Sequence, residues 1–195
     1  MDLSAESESM RRMYGIDNEV TKKFGTQCLI ARRLVESGVR FVHLIRNDWD
    51  HHGGLREKLA KSCLETDQPV AALLKDLKQR GLLDHTLVIW AGEFGRLPIA
   101  QLPADKDERK AGRDHNKNAF CSWLAGAGVK AGCTYGATDE LGLAAVDNRV
   151  SVPDWHATIL HLIGLHHDEL FIDQNGLKEK LTGVAEANVV RGILA

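Results

Sequence analysis

A chain of 195 residues, of which 44% are hydrophobic, can bury one core of ordinary size but is short for two. Its 25 basic and 27 acidic residues leave a formal net charge of -2 and form no basic run that could follow a phosphate backbone, which argues against a nucleic-acid partner. No segment reaches the ~18 apolar residues of a membrane span or carries the apolar stretch of a signal peptide, so the chain as written is expected in the cytoplasm and off the membrane.

The first half of the chain alternates helical and strand patterns. Between residues 17 and 37, apolar positions recur every three or four residues, which predicts a helix that ends at Gly38. The apolar run at residues 39–45 predicts a buried strand. A second helical pattern covers residues 55–80 and contains Pro69, which we interpret as the start of a further helix.

The second half continues the alternation. Residues 86–91 form an uninterrupted, β-rich apolar run, which is typical of a strand covered by helices on both faces. The charged stretch 102–117 predicts a long loop, residues 119–127 another strand, and residues 152–165 a helix with a proline in its first turn. Strands alternating with helices indicate an α/β fold with a mostly parallel, covered sheet.

Three polar clusters follow these strands or lie in adjoining loops: DWDHH at 48–52, GEFGR at 92–96 and GRDHN at 112–116. In a parallel sheet such clusters collect beyond the carboxyl ends of the strands, so one crevice could hold all three. Asp50 and His52, alternate residues of an extended stretch, would point the same way and offer an oxygen and a nitrogen ligand. Each cluster alone is at least as typical of a capped turn or of an ion pair in a loop as it is of a ligand site. Together they are costly to bury unless paired or bound to a cation.

The sequence shows no residue poised for nucleophilic catalysis. It lacks a G-x-S-x-G elbow, a P-loop and a G-x-G-x-x-G turn, which argues against the commonest serine-hydrolase, nucleotide and dinucleotide sites. The four cysteines are scattered without a C-x-x-C pair, and we interpret them as reduced core thiols. His166 and His167 are interpreted as a surface pair after a helix end.

Four segments in order carry a family resemblance: WDHHGGL, ETDQPVAALLKDLKQRGLLDHTLVIWAGEFGRLP, GRDHNKNAFCSWLAGAGVKAGCTYGATDELG and VPDWHATILHLIGL. They resemble the carboxyl-terminal half of a bacterial family of uncharacterised, sulfatase-like proteins in the alkaline phosphatase superfamily. The resemblance implies a three-layer α/β/α sandwich with a mostly parallel central sheet. It divides the chain into a variable segment 1–24, a partial domain 25–170 and a tail 171–195.

The resemblance also implies a divalent metal centre, with zinc preferred over calcium or manganese. Its implied ligands are Asp50, His52, Glu93 and His115, and the residues implied to bind an anionic group are Arg96 and Arg113. Phe94 stands where many superfamily members have a histidine, which puts a second metal position in doubt. The nucleophile and first acidic ligand of the superfamily come from an amino-terminal strand that is not found here. The chain is therefore expected to be a fragment, a truncated gene product or a reduced relative that binds without turnover.

The function implied is that of a metal-dependent hydrolase of the phosphatase or sulfatase class, acting on a small anionic ester. A non-catalytic module that binds a metal or an anion is the alternative, and a structural or oligomerising α/β domain is a third. A homo-oligomer fits the last, because an incomplete sheet exposes an edge. Full-length relatives are expected to be exported. Fold alone does not choose among these functions.

Overall fold

A computed structural model of the chain describes residues 3–195. Within them lie four α-helices: α1 (Glu8–Tyr14), α2 (Lys22–Glu36), α3 (Leu55–Gln79) and α4 (Val152–Leu162). Eight strands accompany them: β1 (Leu87–Trp90), β2 (Gly95–Gln101), β3 (Gly112–Asn116), β4 (Trp123–Gly126), β5 (Ala137–Thr138), β6 (Ala145–Asp147), β7 (Phe171–Gln174) and β8 (Leu177–Lys180). None of the helices in this part of the chain combines the length and apolar character needed to cross a bilayer.

The strands pair two by two rather than in one sheet. The four pairs are β1–β4, β2–β3, β5–β6 and β7–β8. Three of them, β1–β4, β5–β6 and β7–β8, are antiparallel. The chain divides into two compact units: unit 1 comprises Met1–Thr86 and Arg96–His115, and unit 2 comprises Leu87–Gly95 and Asn116–Ala195.

Unit 1 has a helical core. Tyr14, Ile16, Cys28, Leu29 and Ala72 form its buried cluster, supplied by α2, α3 and the end of α1. The helices approach closely because α2 carries Gly25, where a Cβ atom would lie 2.1 Å from the carbonyl oxygen of Tyr14. Close backbone approach of this kind requires glycine.

A buried ion network joins the same helices. Arg32 of α2, whose side chain is 3% exposed, pairs with Glu6, Glu36 and Asp76. Its Nε lies 2.8 Å from Asp76 Oδ2, a contact that is an ion pair rather than a hydrogen bond. Tyr14 donates its hydroxyl to the same Asp76 oxygen at 3.0 Å. Burial, followed by the charge of Asp76, raises the pKa of Tyr14.

Unit 2 is held by short sheets and one capped helix. Helix α4 begins at a capping box, in which Ser151 Oγ accepts from Asp154 N and the Asp154 carboxylate accepts from Ser151 N. In the β1–β4 pair, Trp90 lies opposite Trp123, and their rings are stacked with centroids 6.5 Å apart. The hydrogen bond from Trp155 Nε1 to Ser122 Oγ, 3.0 Å long, fastens α4 to the segment before β4.

The predicted α/β/α sandwich with a parallel central sheet is wrong. The described residues contain only two-stranded sheets, and β1, expected under helices on both faces, pairs antiparallel with β4 and leaves Trp90 exposed. A continuous apolar run does not by itself encode the direction or the number of partner strands.

Three further element predictions are corrected. Residues 39–45, predicted as a buried strand, form no strand, and Phe41 and Ile45 are 83% and 65% exposed. From Phe41 onward exposed and partly buried residues nevertheless alternate as they would in a strand. The expected loop at 102–117 contains β3. Pro69 starts no second helix but lies buried inside α3, where the loss of one backbone hydrogen bond is tolerated. The three helical patterns otherwise correspond to α2, α3 and α4, within about five residues of the predicted ends.

Candidate metal centre

The segment that carries Asp50 and His52 is fixed by backbone hydrogen bonds within unit 1. Gly54 N donates to Lys110 O at 2.9 Å, Leu55 N to Ala111 O at 3.0 Å, and Arg113 N to His51 O at 3.0 Å. Gly54 has a φ of 64° at the N-cap of α3, a conformation that favours glycine. The chain therefore turns from the polar segment directly into α3.

Gly112 allows β3 to approach this segment. A Cβ atom at Gly112 would lie 2.1 Å from the carbonyl carbon of His52 and 2.5 Å from Gly53 N. No side chain can replace a hydrogen at that position without moving one of the two backbones. The close approach places the strand that carries His115 beside the segment that carries His52.

Three potential ligand atoms converge at this place. His52 Nε2 lies 2.9 Å from Asp50 Oδ1, His115 Nε2 lies 3.1 Å from the same oxygen, and the two Nε2 atoms are 3.0 Å apart. The three atoms form a nearly equilateral triangle. Asp50, His52 and His115 are all partly open to solvent, so an ion could reach them.

Arg96 of β2 places a positive charge beside Asp50 in this cluster. Its Nη1 lies 2.6 Å from Asp50 Oδ1 and donates to Arg113 O at 3.3 Å. The hydrogen bond from His115 and that from Arg96 lower the pKa of Asp50 to about 2. Asp50 is therefore a carboxylate throughout the physiological range and offers a negative oxygen to any cation.

Gln101, at the end of β2, contacts Nδ1, the second ring nitrogen of His52. Its Oε1 lies 2.8 Å from His52 Nδ1, whereas Asp114 Oδ1 is 3.8 Å from the same nitrogen. A ring nitrogen that donates to an outer acceptor while the other faces the ligand cluster is the usual arrangement of a metal-binding histidine.

The intervening histidine takes no part in this cluster. His51 is 6% exposed, and its Nε2 has no hydrogen-bond partner among residues 3–195. Burial, followed by the charges of Lys58 and Arg96, lowers the pKa of His51. The alternation of an extended stretch thus separates His51 from Asp50 and His52.

The triangle has a size that fits a small divalent cation. Bonds of about 2.0–2.1 Å, usual for zinc with imidazole nitrogen or carboxylate oxygen, would give angles of roughly 90° between these donors. Such angles match one face of an octahedron, and tetrahedral coordination would need the donors to spread by only about 0.3 Å. Two imidazoles and one carboxylate favour a transition metal over calcium, which prefers oxygen ligands.

The remaining predicted residues are placed differently. Glu93 is exposed and belongs to unit 2, so its role as a ligand stays a prediction from the sequence. Arg113 lies in β3, where its backbone, through the N–H to His51 and the carbonyl to Arg96, helps build the site. Gln101 was missed, because a single amide side chain in a charged stretch carries no distinguishing sequence pattern.

A second group of potential ligands lies in unit 2, at His166, His167 and Asp168. His167 was expected on the surface, but it is buried. Its Nε2 lies 2.9 Å from Ala187 O. Asp168 Oδ1 pairs with Lys180 Nζ at 2.6 Å. Because protein partners already satisfy both groups, this cluster is explained as a structural contact.

Comparison with protein families matches residues 1–194 to the family described as "Protein of unknown function (DUF1501)". No sulfatase or alkaline phosphatase family matches, so the resemblance to the alkaline phosphatase superfamily inferred from the sequence is corrected. The family that does match carries no assigned activity, and the hydrolase and sulfatase descriptions therefore lose their support. No curated protein and no solved structure matches the chain.

Proposed function

The chain belongs to the DUF1501 family of unknown function, and we propose from its site that it binds a single divalent transition-metal ion. The ligands are Asp50 Oδ1, His52 Nε2 and His115 Nε2. The observation that supports this is the triangle of three donor atoms with sides of 2.9, 3.0 and 3.1 Å. Zinc is the ion of choice, with manganese next.

An ordinary surface ion pair explains less of the geometry. Asp50 and Arg96 alone would account for a salt bridge, but two imidazole nitrogens also face each other at 3.0 Å. A hydrogen bond between two such nitrogens uses one N–H and one lone pair, and Asp50 Oδ1 supplies only further lone pairs. A divalent cation accepts all three lone pairs at once, which favours metal binding over a network of hydrogen bonds.

Three protein ligands leave coordination positions for water or an anion. Arg96 lies beside them, so a small oxyanion could bridge the metal and the guanidinium. Anion binding at the loaded site is therefore part of the proposal. Hydrolysis of an anionic ester stays a prediction from the sequence alone, because no nucleophile has been identified.

Metal stoichiometry and affinity test the proposal. We expect the purified, chelator-stripped protein to take up one zinc ion per chain in equilibrium dialysis followed by elemental analysis. His52→Ala, His115→Ala and Asp50→Asn should each weaken zinc binding at least about 100-fold, because each removes a direct ligand. His85→Ala removes an exposed histidine of unit 1 outside the cluster and should bind zinc as the wild type does.

The proposal fails if the wild type takes up no stoichiometric ion, or if the ligand variants bind zinc as tightly as His85→Ala. Turnover of an aryl phosphate or aryl sulfate by the zinc-loaded protein is a separate measurement. Activity that His115→Ala abolishes and His85→Ala keeps would support a hydrolase. Zinc binding without turnover would support the non-catalytic alternative.

A further inference from the structure

We infer that Gln101 is a positioning residue, which fixes the tautomer of His52 so that Nε2, and not Nδ1, carries the lone pair that faces the cluster. The inference rests on the proposed metal function, which it deepens by naming a residue that controls affinity without touching the ion. It does not depend on any assigned activity.

The geometry of the His52 ring carries this inference. Gln101 Oε1 lies 2.8 Å from His52 Nδ1, and an amide oxygen can only accept, so Nδ1 must carry the proton. In a neutral imidazole the proton on one nitrogen leaves the other with a lone pair. That other nitrogen, Nε2, is the one that lies 2.9 Å from Asp50 Oδ1 and 3.0 Å from His115 Nε2.

Gln101 is the better placed of the two acceptors beside Nδ1. Asp114 Oδ1 is 3.8 Å away, beyond hydrogen-bond distance, and accepts instead from His115 N at 2.7 Å. Gln101 is half-buried at the end of β2, whereas Asp114 is exposed. Its position is therefore set by the strand that also carries Arg96, which couples the orientation of the ring to the β2–β3 pair.

Without this acceptor the His52 ring loses its preference for one tautomer. The two tautomers of a histidine side chain differ little in free energy in water, so His52 would place an N–H toward the cluster for part of the time. Outer partners of metal-binding histidines typically contribute 10–100-fold to metal affinity. We expect a loss of that size, roughly 10–100-fold, when Gln101 is replaced by an apolar residue of similar length.

The test uses Gln101→Leu and Gln101→Met, which remove the acceptor, and Gln101→Glu, which keeps one. Gln79→Leu, at an exposed position of α3 in the same unit, is the matched control. The tautomer of His52 is measured in the metal-free protein by long-range proton–nitrogen NMR of the imidazole. Zinc affinity is measured separately by competition with a chromophoric chelator, and circular dichroism checks that each variant is folded.

The wild type, Gln101→Glu and Gln79→Leu should show the lone pair at Nε2 and bind zinc within about threefold of one another. Gln101→Leu and Gln101→Met should show mixed tautomers and bind roughly 10–100-fold more weakly. Unchanged tautomer and affinity in a folded apolar variant would overturn the inference, as would an equal loss in Gln101→Glu. If the wild type binds no zinc, the proposed function fails, and the NMR of the metal-free protein still decides the role of Gln101.

Discussion

Cys28 shows how a single buried group couples the stability of unit 1 to pH. Its side chain is 1% exposed in the helical core, and burial raises the pKa of the thiol to about 12 from an ordinary value of 9.0. The folded state thus disfavours the thiolate. The stabilisation is complete below pH 9.0 and is lost as the pH rises from there toward about 12, because only the unfolded chain releases the proton.

We predict that the unfolding free energy of the wild type falls by about 1.4 kcal/mol between pH 7 and pH 10 through the ionisation of Cys28 in the unfolded chain. One pH unit above the unfolded pKa corresponds to that amount. Cys28→Ala lacks this titration. The difference in stability between wild type and Cys28→Ala should therefore shrink by about 1.4 kcal/mol at pH 10, measured by urea unfolding under reducing conditions. A difference that stays constant over this pH interval would contradict the prediction.

Some residues of the candidate site could be predicted from the sequence and others could not. Asp50 and His52 could be paired because alternate residues of an extended stretch share a side, and the structure brings them together with His115. Arg96 was expected to bind an anion; it lies against Asp50, and its role toward an anion stays a prediction. Gln101 could not be found, because its role follows from the approach of β2 to His52, which no local pattern encodes.

At the scale of elements, the helices were predictable and the sheets were not. The 3.6-residue periodicity records which side of a helix is buried, so α2, α3 and α4 could be located from apolar spacing. Strand pairing depends on a distant partner. The polar sequence GRDHN predicted a loop, yet it forms β3 because β2 supplies its hydrogen-bonding partner.

Gly112 is the element-scale feature on which the candidate site depends. Gly112→Ala would drive a methyl group to 2.1 Å from the backbone of His52, so β3 must move away from the segment that carries the ligands. We predict a loss of about 3 kcal/mol or more in stability and at least a tenfold weakening of zinc binding. Thermal unfolding and chelator competition measure the two effects.

Gly53→Ala provides the matched control for this change. The nearest atom to the added Cβ would be Lys110 O at 3.5 Å, which is an ordinary van der Waals contact. This variant lies next to His52 as well, so it tests whether any alanine near the site is harmful. Equal losses in Gly112→Ala and Gly53→Ala would show that the close approach at Gly112 is not the cause.

At the scale of the whole molecule, substituting a buried charged residue of unit 1 should lower the unfolding free energy more than substituting an exposed one. Asp76 is 2% exposed and compensates Arg32, which is 3% exposed. We predict that Asp76→Asn lowers the unfolding free energy by about 3–5 kcal/mol, because it leaves a buried guanidinium with less compensation. Asp67→Asn, at an exposed position of the same helix, should stay within about 0.5 kcal/mol of the wild type in chemical unfolding.

Metal binding should stabilise unit 1 and leave the stability of unit 2 unchanged. All three proposed ligands belong to unit 1, so zinc at 100 times its dissociation constant should stabilise that unit by about 2.7 kcal/mol. Amides of residues 48–55 and 96–115 that exchange through opening of the site should then exchange about 100-fold more slowly, as measured by hydrogen-exchange mass spectrometry. Peptides covering β7 and β8 of unit 2 should exchange at the same rate with and without zinc. Protection that appears equally in both sets of peptides, or that persists in His115→Ala, would indicate that zinc acts elsewhere than at the three ligands.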